Sequence, residues 1–380
     1  MKTSTPCRFI EISGPPFERG RQYGQQAAAE IRRGIEHYES QLRSFQLGER
    51  QLVQIVDMYL PTIEPFEPRF IAEMRGIAAG AEVKFHQIVM LNARTEVLRL
   101  AADPELLRQH RSAETDGCTT IAVEAEAAAD GQLIHAHNWD WKIESAQASV
   151  VLRIRDSEGP DILTFTEAGA LGRFGFNSNG IAITANNLES DRDYRQLGVP
   201  LALLRRKVLE QTHLALAIHA ICSTPKSASN NIAVSHSGGG MVFDFECAPD
   251  EVFEVAPREG VLVHANHWQS AAAAVKLREE GIKSSPDSLC RERRARKLLA
   301  ASQGRLSVAD VKSILLDNWE TPWSICRPPR LWGQASMSAT VITLIMQPSL
   351  GIMEIAVLPS ADPTFTRYAL DGKNLSTVSM

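Results

Sequence analysis

A five-residue run, Asp116-Gly117-Cys118-Thr119-Thr120, lies where the sequence pattern changes from helical to extended. Before this run, apolar residues between positions 17 and 102 recur mostly at the spacing of amphipathic helices. After it, short segments rich in β-branched residues alternate with turn residues, which is typical of strands joined by hairpins. Helices that precede and separate groups of such strands favour an α+β fold, with helices packed outside two stacked sheets.

The first third predicts a strand at 8–12 and helices at 17–47, 51–59, 66–80 and 86–102, with Pro61 and Pro65 separating the second helix from the third. The remainder predicts antiparallel hairpins, most clearly at Asn179-Gly180, and helices at 200–211, 212–222, 287–302 and 307–317, the last with Ser307 as its N-cap. No repeat or linker divides the chain. We therefore expect 1–117 and 118–380 to be two segments of one fold.

The charge distribution argues against nucleic-acid or anionic-membrane binding. Formal net charge is -5, and the chain has no long basic run. We interpret the basic stretch at 291–297 as a solvated helix face, except for its first residue, Arg291. Six widely spaced cysteines without a C-x-x-C pair, and the absence of an apolar signal segment or an 18-residue apolar run, predict a cytoplasmic protein with reduced thiols.

The Gly117-Cys118 peptide bond is the first candidate for chemistry. Glycine has no side chain to shield its carbonyl group, and the neighbouring thiol is strongly nucleophilic. If the thiol cleaved this bond, Cys118 would become a new N-terminus that carries both a nucleophile and an amine base. A turn with a buried thiol is the ordinary alternative for such a pair.

Asp140 is the candidate that would orient the new amine. A hairpin that begins at Cys118 returns through residues 132–137 and brings Asp140 back toward its start. A simple turn-capping role for Asp140 is equally compatible with this spacing. His135 and His137 share one side of the returning strand and, with Asp140, would suit a metal-dependent hydrolase. Since no third ligand is evident beside the two histidines, we expect no metal.

Asparagines at two further strand ends, Asn186 and Asn266, predict a polar rim over the nucleophile, although turn chemistry is their usual role. The Asn266 amide can donate to a tetrahedral oxyanion, and a main-chain N–H near Asn186 is the second candidate donor. His267 is a less favoured general base, because an N-terminal cysteine needs none. Arg291 is either a surface charge or a bidentate ligand for a substrate carboxylate.

Together these motifs resemble the acyl-coenzyme A:6-aminopenicillanic acid (isopenicillin N) acyltransferase family, peptidase family C45 of the N-terminal-nucleophile hydrolases. The resemblance runs in order over nearly the whole chain. It rests on 17–20, 73–80, 91–96, 116–120, 138–140, 166–169, 175–180 and 264–267.

The resemblance implies a four-layer αββα sandwich and self-cleavage into an α segment, 1–117, and a β segment, 118–380, that stay associated. It implies that Cys118 is the nucleophile, that Asp140 orients its amine and that Asn266 stabilises the oxyanion. By the same resemblance Asn186 is a further polar site residue and Arg291 binds substrate. Cys290 stands where the penicillin enzyme of the family has a serine.

We therefore expect a self-processing acyltransferase or amidohydrolase that acts on a small N-acyl amine, N-acyl amino acid or β-lactam through an acyl-cysteine. It would need no cofactor, with acyl-coenzyme A as a possible co-substrate. An amidohydrolase without acyl transfer and a non-catalytic binding protein of the same fold are the alternatives.

Overall fold

Two sheets stacked face to face form the centre of the molecule, and helices cover both outer faces. The computed structural model describes residues 5–101, 117–302, 304–332, 336–372 and 376–378. Within these residues, no helix combines the length and the apolar character needed to cross a membrane.

The helices described before residue 102 pack against one another beside the first sheet. They are α1 (Pro16–Gln26), α2 (Ala28–Ser44), α3 (Glu49–Ile63), α4 (Pro68–Ala81), α5 (Phe85–Asn92) and α6 (Arg94–Ala101). The later helices are α7 (Leu201–Leu209), α8 (Leu214–Ser223), α9 (Ala271–Lys276), α10 (Gly281–Ser284), α11 (Asp287–Ala301) and α12 (Val308–Leu315).

The first sheet, sheet A, has the strand order β1-β4-β5-β6-β7-β8-β9-β10 in the described residues. Its strands are β1 (Arg8–Ser13), β4 (Ser149–Arg155), β5 (Ile162–Glu167), β6 (Phe174–Asn177), β7 (Ile181–Asn187), β8 (Asn230–His236), β9 (Met241–Cys247) and β10 (Val252–Val255). The hairpin predicted at Asn179-Gly180 joins β6 to β7, and Gly180 has the positive φ of 84° that such a turn requires.

The second sheet, sheet B, has the order β11-β2-β3-β13-β14-β15-β16, with β12 paired to β13. Its strands are β2 (Gly117–Val123), β3 (Ile134–Lys142), β11 (Val261–His264), β12 (Arg330–Trp332), β13 (Ser336–Gln347), β14 (Ile352–Val357), β15 (Phe365–Ala369) and β16 (Ser376–Val378). Strand β2, which begins at the predicted cleavage site, therefore lies next to the edge of this sheet.

Side chains from both sheets meet in the interior. Helices α7 and α8 pack on sheet A, whereas α11 and α12 pack on sheet B. Polar contacts cross between the sheets as well, since the Thr120 hydroxyl of β2 donates to Asn186 Oδ1 of β7 at 2.7 Å. The four layers follow the order helix, sheet, sheet, helix. The predicted αββα sandwich is thus confirmed.

The structure differs from the sequence prediction at several places. The helix predicted at 86–102 is divided at Ala93 into α5 and α6. The long helix predicted at 17–47 is broken at Ala27 into α1 and α2. Pro61 does not end a helix but lies in the last turn of α3, where the missing N–H removes a hydrogen bond only near the helix end. Strand β1 pairs with β4 in parallel, although hairpin connections predicted antiparallel sheets.

Helices α1 and α4 approach each other until their backbones touch. A Cβ atom added to Gly20 or Gly24 of α1 would lie 2.1 or 2.3 Å from a carbonyl oxygen of α4. On α4, a Cβ at Gly76 or Gly80 would lie 2.1 or 2.2 Å from a carbonyl oxygen of α1. In each helix the two glycines are four residues apart and therefore lie on the same face. Each helix thus presents to the other a groove without side chains.

Candidate active site

Cys118 is the second residue of β2 and is almost completely buried, with 1% of its surface exposed. The register of β2 and β3 places Gly117 opposite Asp140 and Cys118 opposite Trp139. The hairpin return predicted from the sequence therefore brings Asp140 to the predicted cleavage bond. Asp116, the first residue of the motif, lies outside the described residues.

The main-chain N–H of Cys118 donates to Asn266 Oδ1 at 2.9 Å. Arg291 Nη2 donates to the same oxygen at 2.8 Å, and Asn266 Nδ2 donates to the carbonyl oxygen of Asn187 at 3.0 Å. Two donors at one end of the amide and an acceptor at the other define its orientation. In the intact chain, Asn266 thus presents its oxygen to the nitrogen that cleavage would convert into the amine.

Arg291 is buried and touches several parts of the site. Its Nη1 donates to the carbonyl oxygen of Cys118 at 2.5 Å and to Thr119 Oγ1 at 2.9 Å. Its Nε donates to Asp287 Oδ2 at 2.9 Å. Arg291 is therefore not a surface charge. The substrate-binding role of Arg291 stays a prediction. A substrate carboxylate would have to share the guanidinium group with these protein acceptors or displace one of them.

The two oxygens of the buried Asp140 carboxylate have different surroundings. Oδ1 accepts a hydrogen bond from Thr340 Oγ1 at 2.6 Å. Oδ2 forms an ion pair with Arg327 Nε at 3.2 Å, but it accepts no hydrogen bond from any of the described residues. A buried carboxylate oxygen in this state can take up a further donor.

Glycine is the only residue type that fits at position 117, between the side chains of Arg327 and Asp140. A Cβ atom at this position would lie 2.4 Å from Arg327 Nη1 and 2.9 Å from both Cβ and Oδ2 of Asp140. The glycine of the motif is therefore required by the close approach of the two charged side chains to the backbone.

Arg327 is a site residue that the sequence reasoning missed. It is buried, and a carboxylate lies on each side of it, Asp140 and Asp287. The available signal is the following Pro328-Pro329, which restricts Arg327 to extended backbone. The two prolines do not indicate that the Arg327 guanidinium group contacts Asp140 on the distant strand β3.

Asn186 lies deeper in the interior than the other candidates. Its Oδ1 accepts from Thr120, its Nδ2 donates to the carbonyl oxygen of His264 at 3.1 Å, and its main-chain N–H donates to Asn231 Oδ1 at 2.7 Å. The structure connects Asn186 to β2 two residues beyond Cys118. The N–H of residue 186 itself already serves Asn231, so another neighbouring N–H would have to be the second oxyanion donor.

His135 and His137 each contact a hydroxyl group in the space between the sheets. His135 Nε2 lies 2.8 Å from Thr184 Oγ1, and His137 Nδ1 lies 2.9 Å from Thr120 Oγ1. Burial lowers the pKa of His135 to about 3 and holds the pKa of His137 well below its usual value, so both rings are neutral near pH 7. Within the described ranges, no group of three or more His, Cys, Asp or Glu side chains is arranged to hold a metal ion.

His267 and Cys290 lie beside the arginine helix. His267 Nδ1 is 2.7 Å from Ser288 Oγ, and burial together with nearby positive charges lowers the pKa of the ring to about 3. Cys290 is exposed. Ser288 also accepts the main-chain N–H of Asn266 at 2.7 Å, so this hydroxyl helps to hold the strand end that carries Asn266.

A second group of buried charges lies against Trp139, the residue opposite Cys118. The Arg173 guanidinium lies 4.1 Å from the centre of the indole ring, and Arg94 lies 5.9 Å from it. Both arginines pair with Glu167, at 3.4 and 2.6 Å. Burial alone would raise the pKa of Glu167, but the two arginines outweigh it and lower the pKa. Glu167, in the motif at 166–169, thus lies at the centre of a group of buried charges that contacts the strand beside Cys118.

Comparisons with known proteins find related sequences and structures. The family model described as acyl-coenzyme A:6-aminopenicillanic acid acyl-transferase matches residues 127–358, which include Asp140, Asn186, Asn266, Arg291 and Arg327. The acyl-coenzyme A:6-aminopenicillanic-acid-acyltransferase 40 kDa form of Emericella nidulans is 29% identical over 329 residues and covers 84% of each chain.

More distant similarities are also found. Acid ceramidase of Balaenoptera acutorostrata scammoni is 25% identical over 139 residues, which cover 36% of this chain and 30% of the ceramidase. Among solved structures, a Caenorhabditis elegans N-acylethanolamine-hydrolyzing acid amidase ortholog has a TM-score of 0.45 and 15% identity, covering 69% of this chain and 100% of that one.

Proposed function

Because the chain belongs to the acyl-coenzyme A:6-aminopenicillanic acid acyl-transferase family, we propose that it is a self-processing enzyme that transfers or hydrolyses acyl groups of small N-acyl compounds. Its precursor is cleaved between Gly117 and Cys118, and the released Cys118 then carries the acyl group as a thioester.

The observation that carries this proposal is the set of acceptors around the Cys118 nitrogen. Asn266 Oδ1 already accepts its N–H at 2.9 Å. Asp140 Oδ2 lies beside Gly117 and accepts no hydrogen bond from the described residues. An ammonium group has three hydrogens where an amide has one, so a new N-terminus at this position needs a further acceptor, and the Asp140 carboxylate beside Gly117 is the proposed one.

Self-cleavage needs no group from outside the chain except water. The Cys118 sulfur attacks the Gly117 carbonyl carbon, the C–S bond forms, and the C–N bond breaks as the nitrogen takes up a proton. Water then hydrolyses the thioester to a Gly117 carboxylate and a free thiol. The adjacent Arg327 guanidinium is suited to stabilise the negative charge that develops on the Gly117 oxygen.

In the mature enzyme, the Cys118 amine serves as the base for its own thiol. The thiolate attacks the carbonyl carbon of the substrate, and the amine of an amide donor, or the thiol of a thioester donor, leaves with a proton. One hydrogen of Asn266 Nδ2 donates to Asn187, and the second is the predicted donor to the oxyanion. Water or an acceptor amine then removes the acyl group from sulfur.

The substrate class follows from the family and from this acyl-cysteine chemistry. We propose an N-acyl amine, an N-acyl amino acid or a β-lactam as acyl donor, with acyl-coenzyme A as an alternative thioester donor and no bound cofactor. We also propose a reducing compartment such as the cytoplasm, because the six cysteines are widely spaced and include no C-x-x-C pair.

The test begins with N-terminal sequencing of purified wild type and of Cys118→Ala. We expect wild type to yield a new terminus beginning Cys-Thr-Thr, and the variant to remain one chain. Wild type that stays uncut while it turns over N-acyl substrates would contradict the scheme.

A second measurement separates transfer from hydrolysis. The mature protein is incubated with N-acyl amino acids, β-lactams or acyl-coenzyme A thioesters, with and without an acceptor amine, and products are followed by mass spectrometry. New amides indicate transfer, whereas free acids alone indicate an amidohydrolase. A protein that is neither cut nor acylated on Cys118 would be a binding protein of this fold.

A further inference from the structure

One carboxylate joins the two arginines of the site. Asp287 is the first residue of α11, and its Oδ2 accepts hydrogen bonds from Arg291 Nε, at 2.9 Å, and from Arg327 Nη2. All three side chains are buried. Two buried guanidinium groups repel each other. The Asp287 carboxylate between them offsets this unfavourable electrostatic energy.

The Arg291 arm of this arrangement reaches the nucleophile. From Asp287, the Arg291 guanidinium extends to the carbonyl oxygen of Cys118 and to Asn266 Oδ1. It therefore fixes the peptide group downstream of the cleavage bond and the amide that accepts the Cys118 N–H.

The Arg327 arm reaches the other side of the same bond. Its Nε pairs with Asp140 Oδ2, and its Nη1 lies over Gly117, where it excludes any side chain. Asp287 is thus connected to both flanks of the Gly117-Cys118 bond, each time through a single guanidinium group.

We propose that Asp287 is a positioning residue for self-cleavage and for the later acyl transfer. Its carboxylate sets the separation of Arg291 and Arg327 and, through them, the placement of the groups around the Cys118 nitrogen. Ser285 Oγ donates to Asp287 Oδ1 at 3.2 Å and holds the carboxylate from the opposite side. Neither the sequence motifs nor the resemblance assigned a role to Asp287. The inference rests on the proposed function, because it assigns a role within that chemistry.

A structural role and a positioning role predict different results for Asp287→Asn, which keeps the shape and removes the charge. If the role is only structural, stability falls and the chemistry of folded protein is unchanged. If Asp287 positions the arginines, folded variant should cleave at least about tenfold more slowly, and mature variant should lose kcat by a similar factor with little change in KM. Cleavage is followed in cell-free synthesis by the appearance of the 1–117 fragment.

A pH measurement gives a signature that a structural role would not produce. Displacements small enough to slow the reaction still leave both guanidinium charges in the site, and without their shared anion these charges favour the Cys118 thiolate. The pH dependence of thiol alkylation in mature Asp287→Asn should therefore shift to lower pH than in wild type. Glu292→Gln is the matched control, since Glu292 pairs with Arg296 on the same helix with the same four-residue spacing. This variant should cleave and alkylate like wild type.

Asp287→Glu keeps the protein testable if the neutral variant does not fold. It retains the buried charge but moves the carboxylate outward by one methylene, so it should fold and still cleave more slowly. Folded Asp287→Asn or Asp287→Glu that cleaves at the wild-type rate, with an unshifted alkylation profile, would overturn the inference. Wild type that never cleaves would instead overturn the proposed function, and the role of Asp287 with it.

Discussion

Gly117 is the residue whose size the site restricts most directly. Gly117→Ala would place a methyl group 2.4 Å from Arg327 Nη1 and 2.9 Å from Asp140, so one of these side chains must move. Because both flank the cleavage bond, we expect self-cleavage to slow by about a hundredfold or more, as small misplacements of reacting groups do. Gel analysis of a time course after cell-free synthesis measures the rate.

The control for this variant is Gly159→Ala. A Cβ at Gly159 would lie 3.7 Å from its nearest neighbour, which is an ordinary van der Waals contact. Gly159 is also distant from Cys118 in the sequence. This protein should cleave at the wild-type rate. Equal rates for the two alanine variants would mean that the close approach at Gly117 is irrelevant to the reaction.

His264 should make stability depend on pH. Burial opposes protonation, but the nearby carboxylates of Asp244 and Glu246 outweigh it and raise the pKa of His264 to about 9. The unfolded value is about 6.5, so this stabilisation is complete below pH 6.5 and disappears as pH rises through 9. In urea unfolding, the stability advantage of wild type over His264→Gln should shrink by about 3 kcal/mol between pH 6 and pH 10. A constant difference would show that His264 is neutral in the folded protein.

At the residue scale, the sequence predicted contacts that a local pattern such as a hairpin produces, and it did not predict contacts between distant segments. Cys118 and Asp140 lie on the two strands of a hairpin that the sequence pattern indicates, so their proximity was predictable from hairpin geometry. Asn266 follows a strand that pairs with β2 from far along the chain, and hairpin geometry does not predict that pairing. Arg327 lies in an irregular segment after α12, and only the folded chain brings it to Asp140. No local pattern records that contact.

The α1–α4 helix pair allows a test at the scale of elements. Gly76→Ala would place a methyl group 2.1 Å from the carbonyl oxygen of Phe17 and push the helices apart. We expect a loss of about 1–3 kcal/mol in the free energy of unfolding, the usual cost of overpacking. Urea denaturation of the uncleaved Cys118→Ala background measures this loss without interference from processing.

Gly34→Ala, in the same background, is the matched control. Gly34 also lies in a helix, but its nearest neighbour would be a flexible Leu91 methyl group at 3.5 Å. Alanine should be neutral there or stabilise by up to about 1 kcal/mol through its higher helix propensity. If both alanine variants are equally stable, backbone contact between α1 and α4 is not what limits their packing.

Elements with a strong repeating pattern were predictable, and their partners were less so. The Asn179-Gly180 hairpin and the Ser307 cap lie where the sequence indicates them. The parallel pairing of β1 with β4 was not predicted, because a connection across many helices leaves no turn signature. Strand β15 also escaped prediction.

Over the whole molecule, the two predicted segments share backbone and side-chain contacts. Strand β1 of the first segment pairs with β4 of the second along six residues. Asn92 donates to the carbonyl oxygen of Gly169 at 2.9 Å, and Arg19 pairs with Asp156 at 3.1 Å. We therefore expect 1–117 and 118–380 to elute together in native size-exclusion chromatography after cleavage, and to separate only in denaturant. Separation in plain buffer would contradict this expectation.

The pairing of β1 with β4 between the two segments affects how the protein folds and unfolds. A strand from one segment completes a sheet of the other, so the intact chain brings them together in a unimolecular step. Once the covalent connection is gone, an unfolded molecule must find its missing half by diffusion, and its melting temperature should rise with protein concentration. The processed form would then refold more slowly at low protein concentration than the intact chain, and its lifetime in dilute solution would depend on how slowly the two segments come apart.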